Sequence, residues 1–324
     1  MGAQSKDVAD YSQLLEGAIW SLTILSTIFV ALRVYAKIFW KRALLWDDWF
    51  LIASWACLLV SAALLTEGVK YGIGLHYEDM DPEKIPETSK FSYAAGFTTI
   101  LGTSWSKTSF GITLLRISSG WLKWFVWFII ISVNLVLSAS AILLWVQCLP
   151  VEKLFDELAE GTCFSRHIIE DYQTFCSAYS GVADIVLALL PWKIVWSNTI
   201  FRTEKIGALV AMSVGVISGL VSFMKIIFLD NISDVTSTTV DLKIFGIAEL
   251  ASTIIAVSIP VLRAFLRRQH STTTRAEFVS LSELPSTGSS RYQEIRKGAS
   301  SPKELTLTQS VDSYGRPGRS AYEV

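Results

Sequence analysis

An all-α fold is predicted for this chain: a polytopic bundle of seven transmembrane helices, with the N-terminus outside and the C-terminus in the cytoplasm. Three observations carry that expectation. The 324 residues are 51% hydrophobic and only 18% charged, with a mean hydropathy of +0.43, which is more apolar side chain than one soluble core of this length accommodates. Apolar runs of about 20 residues, the length that crosses a hydrocarbon core of about 30 Å as a helix, recur along the chain. Basic residues collect in alternate connections, and acidic residues in the others.

The runs are taken in order. The first, Gly17 to Ala36, follows an acidic stretch and continues through Arg33 without a small-residue cleavage site, so it reads as a retained helix and not a signal peptide. The opening MGAQSK places Lys6 where a myristoylation signal needs Ser or Thr, and that reading fails. The next runs are Asp47 to Val69, Tyr93 to Arg116, Trp121 to Gln147, Asp171 to Trp196, Ile206 to Leu229 and Leu242 to Leu266. Each has to be helical, because a backbone in lipid must satisfy its own N–H and C=O groups and these runs lack the alternation of barrel strands. Trp40, Trp46, Trp49, Trp121, Trp124, Trp145, Trp192 and Trp196 fall near the expected interfaces, where an amphipathic ring is at home, with simple packing as the alternative. The expected organisation is an outer tail over 1–16, the helical domain over 17–268 and a disordered cytoplasmic tail over 269–324, where Ser, Thr, Gly, Pro and charged residues offer too little apolar surface to offset chain entropy.

Loop charge sets the expected orientation. Lys37, Lys41, Arg42, Lys123, Arg202, Lys205, Arg267 and Arg268 mark the cytoplasmic side, against Glu204 alone. Glu78, Asp79, Asp81, Glu83, Glu87, Glu152, Asp156, Glu157, Glu160, Asp234 and Asp241 mark the outer side. Asn231-Ile232-Ser233 is a glycosylation sequon that lands outside, close to the membrane end. Cys148 and Cys163 bracket an outer connection and are expected to form a disulfide worth about 3 kcal/mol, with two free thiols as the alternative. Cys57 and Cys176 lie inside spans.

Ionisable residues inside the spans are few, and each costs about 2.5 to 3.5 kcal/mol near mid-bilayer unless it faces the bundle and finds a partner. Lys107 in the third span and Asp184 in the fifth match in depth and form one candidate pair. Lys225 in the sixth and Glu249 in the seventh form a second. At the cytoplasmic face Arg33 is placed to meet Asp47 or Asp48, which open the second span where the helix dipole favours anions. Each pair reads either as a static clamp or as a switch that opens on ligand binding.

Several function classes are excluded. A net charge of -1 with scattered basic residues gives no nucleic-acid surface. His76, His167 and His270 all fall outside the expected spans, so no intramembrane histidine metal site is assembled, and metal binding is not expected. No G-x-S-x-G, H-E-x-x-H or phosphate-loop pattern occurs, and no enzyme is expected.

Particular motifs carry a resemblance. LRVYAKIFWKRALLWDDW from Leu32 to Trp49, YGIGLH from Tyr71 to His76, and WSKTSFGITLLRI from Trp105 to Ile117 with Lys107 and Arg116 resemble the fungal rhodopsin-like-domain integral membrane proteins. Cys148 with Pro150, Cys163, Asp184 with Pro191 and Trp196, and Glu249 with Pro260 are similar to further positions of that family, and together they cover most of 17–268. The resemblance implies a seven-helix, receptor-like membrane protein, most readily of the plasma membrane, without implying a ligand. The family's receptor-type members with an eight-cysteine extracellular domain differ from this chain, so their surface-sensing role is not carried over. Retinal is not expected as a cofactor, since Lys243 lies at the outer edge of the seventh span and no lysine stands deeper in it. The third span ends in LLRIS and the seventh contains SIPVLRAF, which are not the common signatures of G-protein-coupled receptors.

Two functions follow as expectations. The first is a receptor-like sensor whose partners are the lipid bilayer, an unidentified small-molecule ligand and a cytoplasmic signalling protein. The second is a carrier or accessory protein for a small molecule such as a secondary metabolite, with Lys107 and Asp184 lining its route. The lack of an internal repeat and of broken spans weighs against the carrier.

Overall fold

The computed structural model describes residues 4–39, 43–74, 82–116, 118–155, 160–197, 202–230 and 235–282. Among these, seven α-helices follow one another: α1 (Gln4–Phe39), α2 (Trp46–Tyr71), α3 (Ile85–Leu115), α4 (Trp121–Val146), α5 (Arg166–Ser197), α6 (Arg202–Asp230) and α7 (Val235–Ser282). Between α4 and α5 a short antiparallel ribbon pairs β1 (Cys148–Leu149) with β2 (Thr162–Cys163). The chain divides into two units, Met1–His270 and Ser271–Val324. Of the second, residues 271–282 are described, as helix.

Two expected boundaries move. Helix α1 begins at Gln4 and not at Gly17, because Gln13, Leu14, Leu15 and Glu16 are good helix formers and Leu15 is fully buried. Helix α7 continues past 268 to Ser282, so the tail expected to lack structure from 269 starts as helix. Residues 283–324 and Asn231 lie outside the described residues.

Local chemistry sets the ends of α2. Asp48 accepts the Leu45 backbone N–H at 3.1 Å, which satisfies a donor that the helix start leaves without a partner. At the other end Gly72 adopts φ 120° and Gly74 φ 102°, a region that side chains with a Cβ avoid. There the Gly72 N–H reaches the Gly68 and Val69 carbonyls, both at 3.1 Å, and the Ile73 N–H reaches the Gly68 carbonyl at 3.0 Å. The YGIGLH motif thus begins with the glycine stop of α2.

The distribution of polarity is inverted relative to a soluble protein. Leu58, Ile247, Leu250 and Ile254 form a fully buried apolar core, but Arg33, Asp47, Asp48, Lys107, Asp184 and Glu249 are buried beside it. The outer surface carries Trp20, Ile24, Ile28, Phe128, Leu135, Ile142, Ile217 and Leu220 exposed along successive helix turns. Water would penalise that apolar jacket and lipid does not. Five helical segments, Ser12–Phe39, Trp46–Tyr71, Trp121–Val146, His167–Leu190 and Val240–Arg263, are long and apolar enough to cross a membrane, and Met212–Ile227 in α6 is a shorter apolar stretch. The chain is a multi-pass helical membrane protein.

The third expected span is polar for its length because of where it sits. In α3, Gly102, Thr103, Ser104 and every residue from Ser106 to Gly111 are buried, so this helix has little lipid-facing surface at mid-length and packs on α2, α4 and α5. Its small hydroxyl residues link neighbours: Ser54 of α2 donates to the Gly102 carbonyl at 2.9 Å, and Ser104 donates to Asn134 of α4 at 2.8 Å. Such residues permit close helix approach and supply hydrogen bonds where water is absent. Helices α5 and α6 also approach closely, since a Cβ placed on Gly181 would meet the Gly219 carbonyl oxygen at 3.0 Å and one on Gly219 would meet the Gly181 oxygen at 2.9 Å.

The tryptophans divide between the two expected roles. Trp46, Trp49, Trp121 and Trp124 are exposed at helix starts, where an interface would place them. Trp145 instead packs edge-on against Phe97 and Phe155. The side chains of Trp40, Trp192 and Trp196 lie outside the described residues.

Candidate functional site

Helices α3, α5, α6 and α7 bring the two expected pairs into one network. Lys107 Nζ lies 2.5 Å from Asp184 Oδ1 and 3.3 Å from Glu249 Oε1, while Lys225 Nζ meets Glu249 Oε2. Lys107 also donates to the Ser180 carbonyl at 3.1 Å. The Ser180 hydroxyl donates to Glu249 at 2.7 Å, and Ser218 donates to Asp184 at 2.9 Å. Depth along the bundle pairs Lys107 with Asp184 and Lys225 with Glu249, and Glu249, which reaches both lysines, joins those pairs. Two ammonium groups face two carboxylates, so the network balances its charge in a region where an unpaired ion would be costly.

A second network ties α1, α2 and α3. Arg33 Nη2 lies 2.7 Å from Asp47, and Arg33 Nε lies 3.1 Å from Asp48, so both acids are engaged and not one or the other. Lys37, one helical turn after Arg33 on the same face, lies 3.4 Å from Asp47 and also contacts Asp48. Arg116, at the end of α3, meets the other Asp47 oxygen. Arg33 further donates to the Val257 carbonyl of α7, close to Pro260, which lacks the N–H that would extend the helix ladder. Ser109 donates to the Asp47 carbonyl at 2.6 Å. Lys107 and Arg116 are nine residues apart on α3, a rise of about 14 Å, and Ser109, which bonds the Asp47 carbonyl, lies between them.

Beside the first network is a cavity of ≈ 360 Å³. Ser180, Lys225 and Glu249 form its floor, and Gln147, next to the ribbon, stands at the other end. Leu137 of α4 and Gln147, the residue that follows its last turn, both line it, and their separation in helix corresponds to a depth of about 15 Å. Leu65, Ile100, Leu144 and Ile169 give it apolar walls, and Thr99, Thr103, Gln173 and Ser177 give it polar ones. Lys243, Gly246 and Glu249 line it from one face of α7. Lys243 was expected only at the outer edge of its span; it donates to the Ser92 carbonyl at 2.8 Å and lines this cavity.

The ribbon caps the region between α4 and α5, and there Cys148 and Cys163 form the expected disulfide. Cys57 and Cys176 are free thiols. His167 is exposed in the first turn of α5, and among the described residues no three His, Cys, Asp or Glu side chains converge as a metal site.

Buried charge networks inside an apolar helical jacket, with a cavity against one of them, define a multi-pass helical membrane protein. The Fungal rhodopsin domain family matches residues 32–268, and the chain belongs to that family, whose members are typically non-enzymatic. The match starts at the LRVYAKIFWKRALLWDDW motif and ends with Arg268, so it contains both networks and the cavity. No curated protein matches the chain, and no solved structure does.

Proposed function

We propose that all seven helices cross a membrane, most readily the plasma membrane, with the N-terminus outside and the C-terminal residues in the cytoplasm, and that the protein is a receptor-like sensor of a small molecule. The orientation is supported by the basic residues Lys37, Lys41, Arg42, Lys123, Arg202, Lys205, Arg267 and Arg268 on one side. The Cys148–Cys163 bond on the other side fits an oxidising compartment. Helix α3, too polar to stand alone in lipid, spans by burying its hydroxyl and charged residues against its neighbours.

The single observation that carries the sensor reading is the cavity floor. A ligand seated against Ser180, Lys225 and Glu249 touches a network that joins α3, α5, α6 and α7, so ligand contacts there bias how four helices pack. At the far end the Arg33, Lys37, Asp47, Asp48 and Arg116 cluster holds α1, α2 and α3 together, in keeping with a closed intracellular face and not a continuous route. Coupling runs to a cytoplasmic signalling protein.

The experiment applies a panel of extracellular compounds to cells expressing the full chain and reads intracellular calcium, cyclic nucleotide and phosphorylation of residues 269–324. The expected result is a response to at least one compound that Glu249→Gln abolishes at equal surface expression. Silence across the panel, with a control receptor responding in the same cells, would overturn the sensor. The carrier reading would replace it if vesicles loaded with protein moved a metabolite and Asp184→Asn stopped the flux.

A further inference from the structure

We infer that the cavity recognises a small carboxylate: an anionic group held by Lys243, an uncharged middle, and a second oxygen function at the Lys225–Glu249 floor. The inference rests on the reading of the cavity as a ligand site and adds the chemistry of what enters it.

The charge balance of the cavity wall points to an anion. Lys225 and Glu249 contact one another, and Lys107 is matched by Asp184, so the floor is internally neutral. Lys243 lies outside that balance. Its Nζ donates to a neutral backbone carbonyl, Ser92, at 2.8 Å, and among the described residues no carboxylate stands within ion-pair distance of it. An ammonium has three N–H donors and the carbonyl uses one, which leaves donors for a ligand in a wall that Gly96 and Gly246 keep open beside it. A cation without a counter-ion is costly in this setting, and an anionic ligand would supply the counter-ion.

The rest of the lining sets the shape. Lys243 and Glu249 lie six residues apart on one face of α7, a rise of about 9 Å. The other walls mix Leu65, Ile100 and Leu144 with the neutral polar side chains of Thr99, Gln173 and Ser177, which suit an uncharged segment and not a second charge. At the floor Lys225 and Glu249 offer a donor and an acceptor, so a hydroxyl or carbonyl at the distal end is matched and a bare alkyl end is not. The volume of ≈ 360 Å³ falls within the usual range for small-ligand cavities, about 300–1,000 Å³.

The test uses the full chain purified in detergent and the probe 8-hydroxyoctanoate, which joins a carboxylate to a distal hydroxyl through an uncharged chain. Binding is read by calorimetry and by the ligand-dependent shift of the unfolding midpoint. The comparison ligands are octane-1,8-diol, octanoate and 8-hydroxyoctyl phosphate. The acid is expected to bind the wild type, to lose about tenfold or more in affinity with Lys243→Met and to recover with Lys243→Arg, whereas the diol is expected to be indifferent to either change. Octanoate is expected to bind more weakly than the hydroxy acid. No binding of the acid, equal binding by wild type and Lys243→Met, or a diol as tight as the acid would overturn the inference. Binding of the phosphate ester without the carboxylate would overturn the assignment to a carboxylate. Because no cellular response is read, acid binding without signalling counts against the sensor alone, and signalling by uncharged compounds without acid binding counts against this inference alone.

Discussion

Replacing Lys107 by methionine probes the network with a side chain of similar length and no charge. In the native arrangement Lys107 Nζ holds Asp184 at 2.5 Å, Glu249 at 3.3 Å and the Ser180 carbonyl at 3.1 Å, and the side chains of Lys107, Asp184 and Glu249 are only 1–3% exposed. Without the ammonium, Glu249 keeps Lys225 and the Ser180 hydroxyl. Asp184 keeps the Ser218 hydroxyl at 2.9 Å and no cation. One stranded buried charge costs about 3–5 kcal/mol. Lys107→Met combined with Asp184→Leu removes both members of that pair and leaves Glu249 with Lys225, so the double variant is expected to return to within about 2 kcal/mol of wild type, a coupling energy of several kcal/mol. The assay is denaturant unfolding of the detergent-purified chain, with each variant checked for a monodisperse folded population. The reasoning fails if Lys107→Met costs less than about 1 kcal/mol, or if the double variant costs the sum of the two single ones.

Three further outcomes are expected. Arg33→Lys should destabilise the bundle by about 2 kcal/mol or more, because a single ammonium cannot serve Asp47, Asp48 and the Val257 carbonyl as the planar guanidinium does; an unfolding midpoint equal to wild type would contradict the clamp. Cys148→Ser should lower stability by about 3 kcal/mol for a bridge spanning 15 residues, read as a shift in the unfolding midpoint that reductant reproduces in the wild type and does not add to in the variant. Gly219→Val should force α5 and α6 apart, since even a Cβ would stand 2.6 Å from Ile185 and 2.9 Å from the Gly181 carbonyl oxygen; a cost of about 1–3 kcal/mol is expected from overpacking, and unchanged stability would refute the close contact.

The sequence signals differ in what they can resolve. Apolar run length locates the helices because the bilayer fixes the number of residues needed, and Cys148 with Cys163 stands out because both flank one connection. Depth matching brings Lys107 to Asp184 and Lys225 to Glu249, yet depth says nothing of direction around each helix, and direction is what lets Glu249 touch both lysines. Lys37 is visible as a loop charge and Arg116 as the end of the third span, and the four-residue step from Arg33 to Lys37 is the available sign that Lys37 shares the Arg33 face. Lys243 was placed by its distance along α7 and not by the cavity beside Gly96 and Gly246, which only the packed helices create. The Gly215 to Gly219 spacing in α6 is a small-residue pattern that signals a close helix contact without naming α5 as the partner. The start of α1 at Gln4 and the end of α7 at Ser282 escape a hydropathy reading because helix continues where apolarity stops.

The measurement that bears most directly on the central claim is chemical access to the cavity from outside the cell. Gln173→Cys lines the cavity and is made in a chain with Cys57→Ala and Cys176→Ala, leaving Cys148 and Cys163 in their bond. A small, membrane-impermeant anionic thiol reagent added to intact cells is expected to label it, and 8-hydroxyoctanoate is expected to slow the labelling. Labelling that appears only after the membrane is permeabilised would contradict an outward cavity above the Lys107, Asp184, Lys225 and Glu249 network.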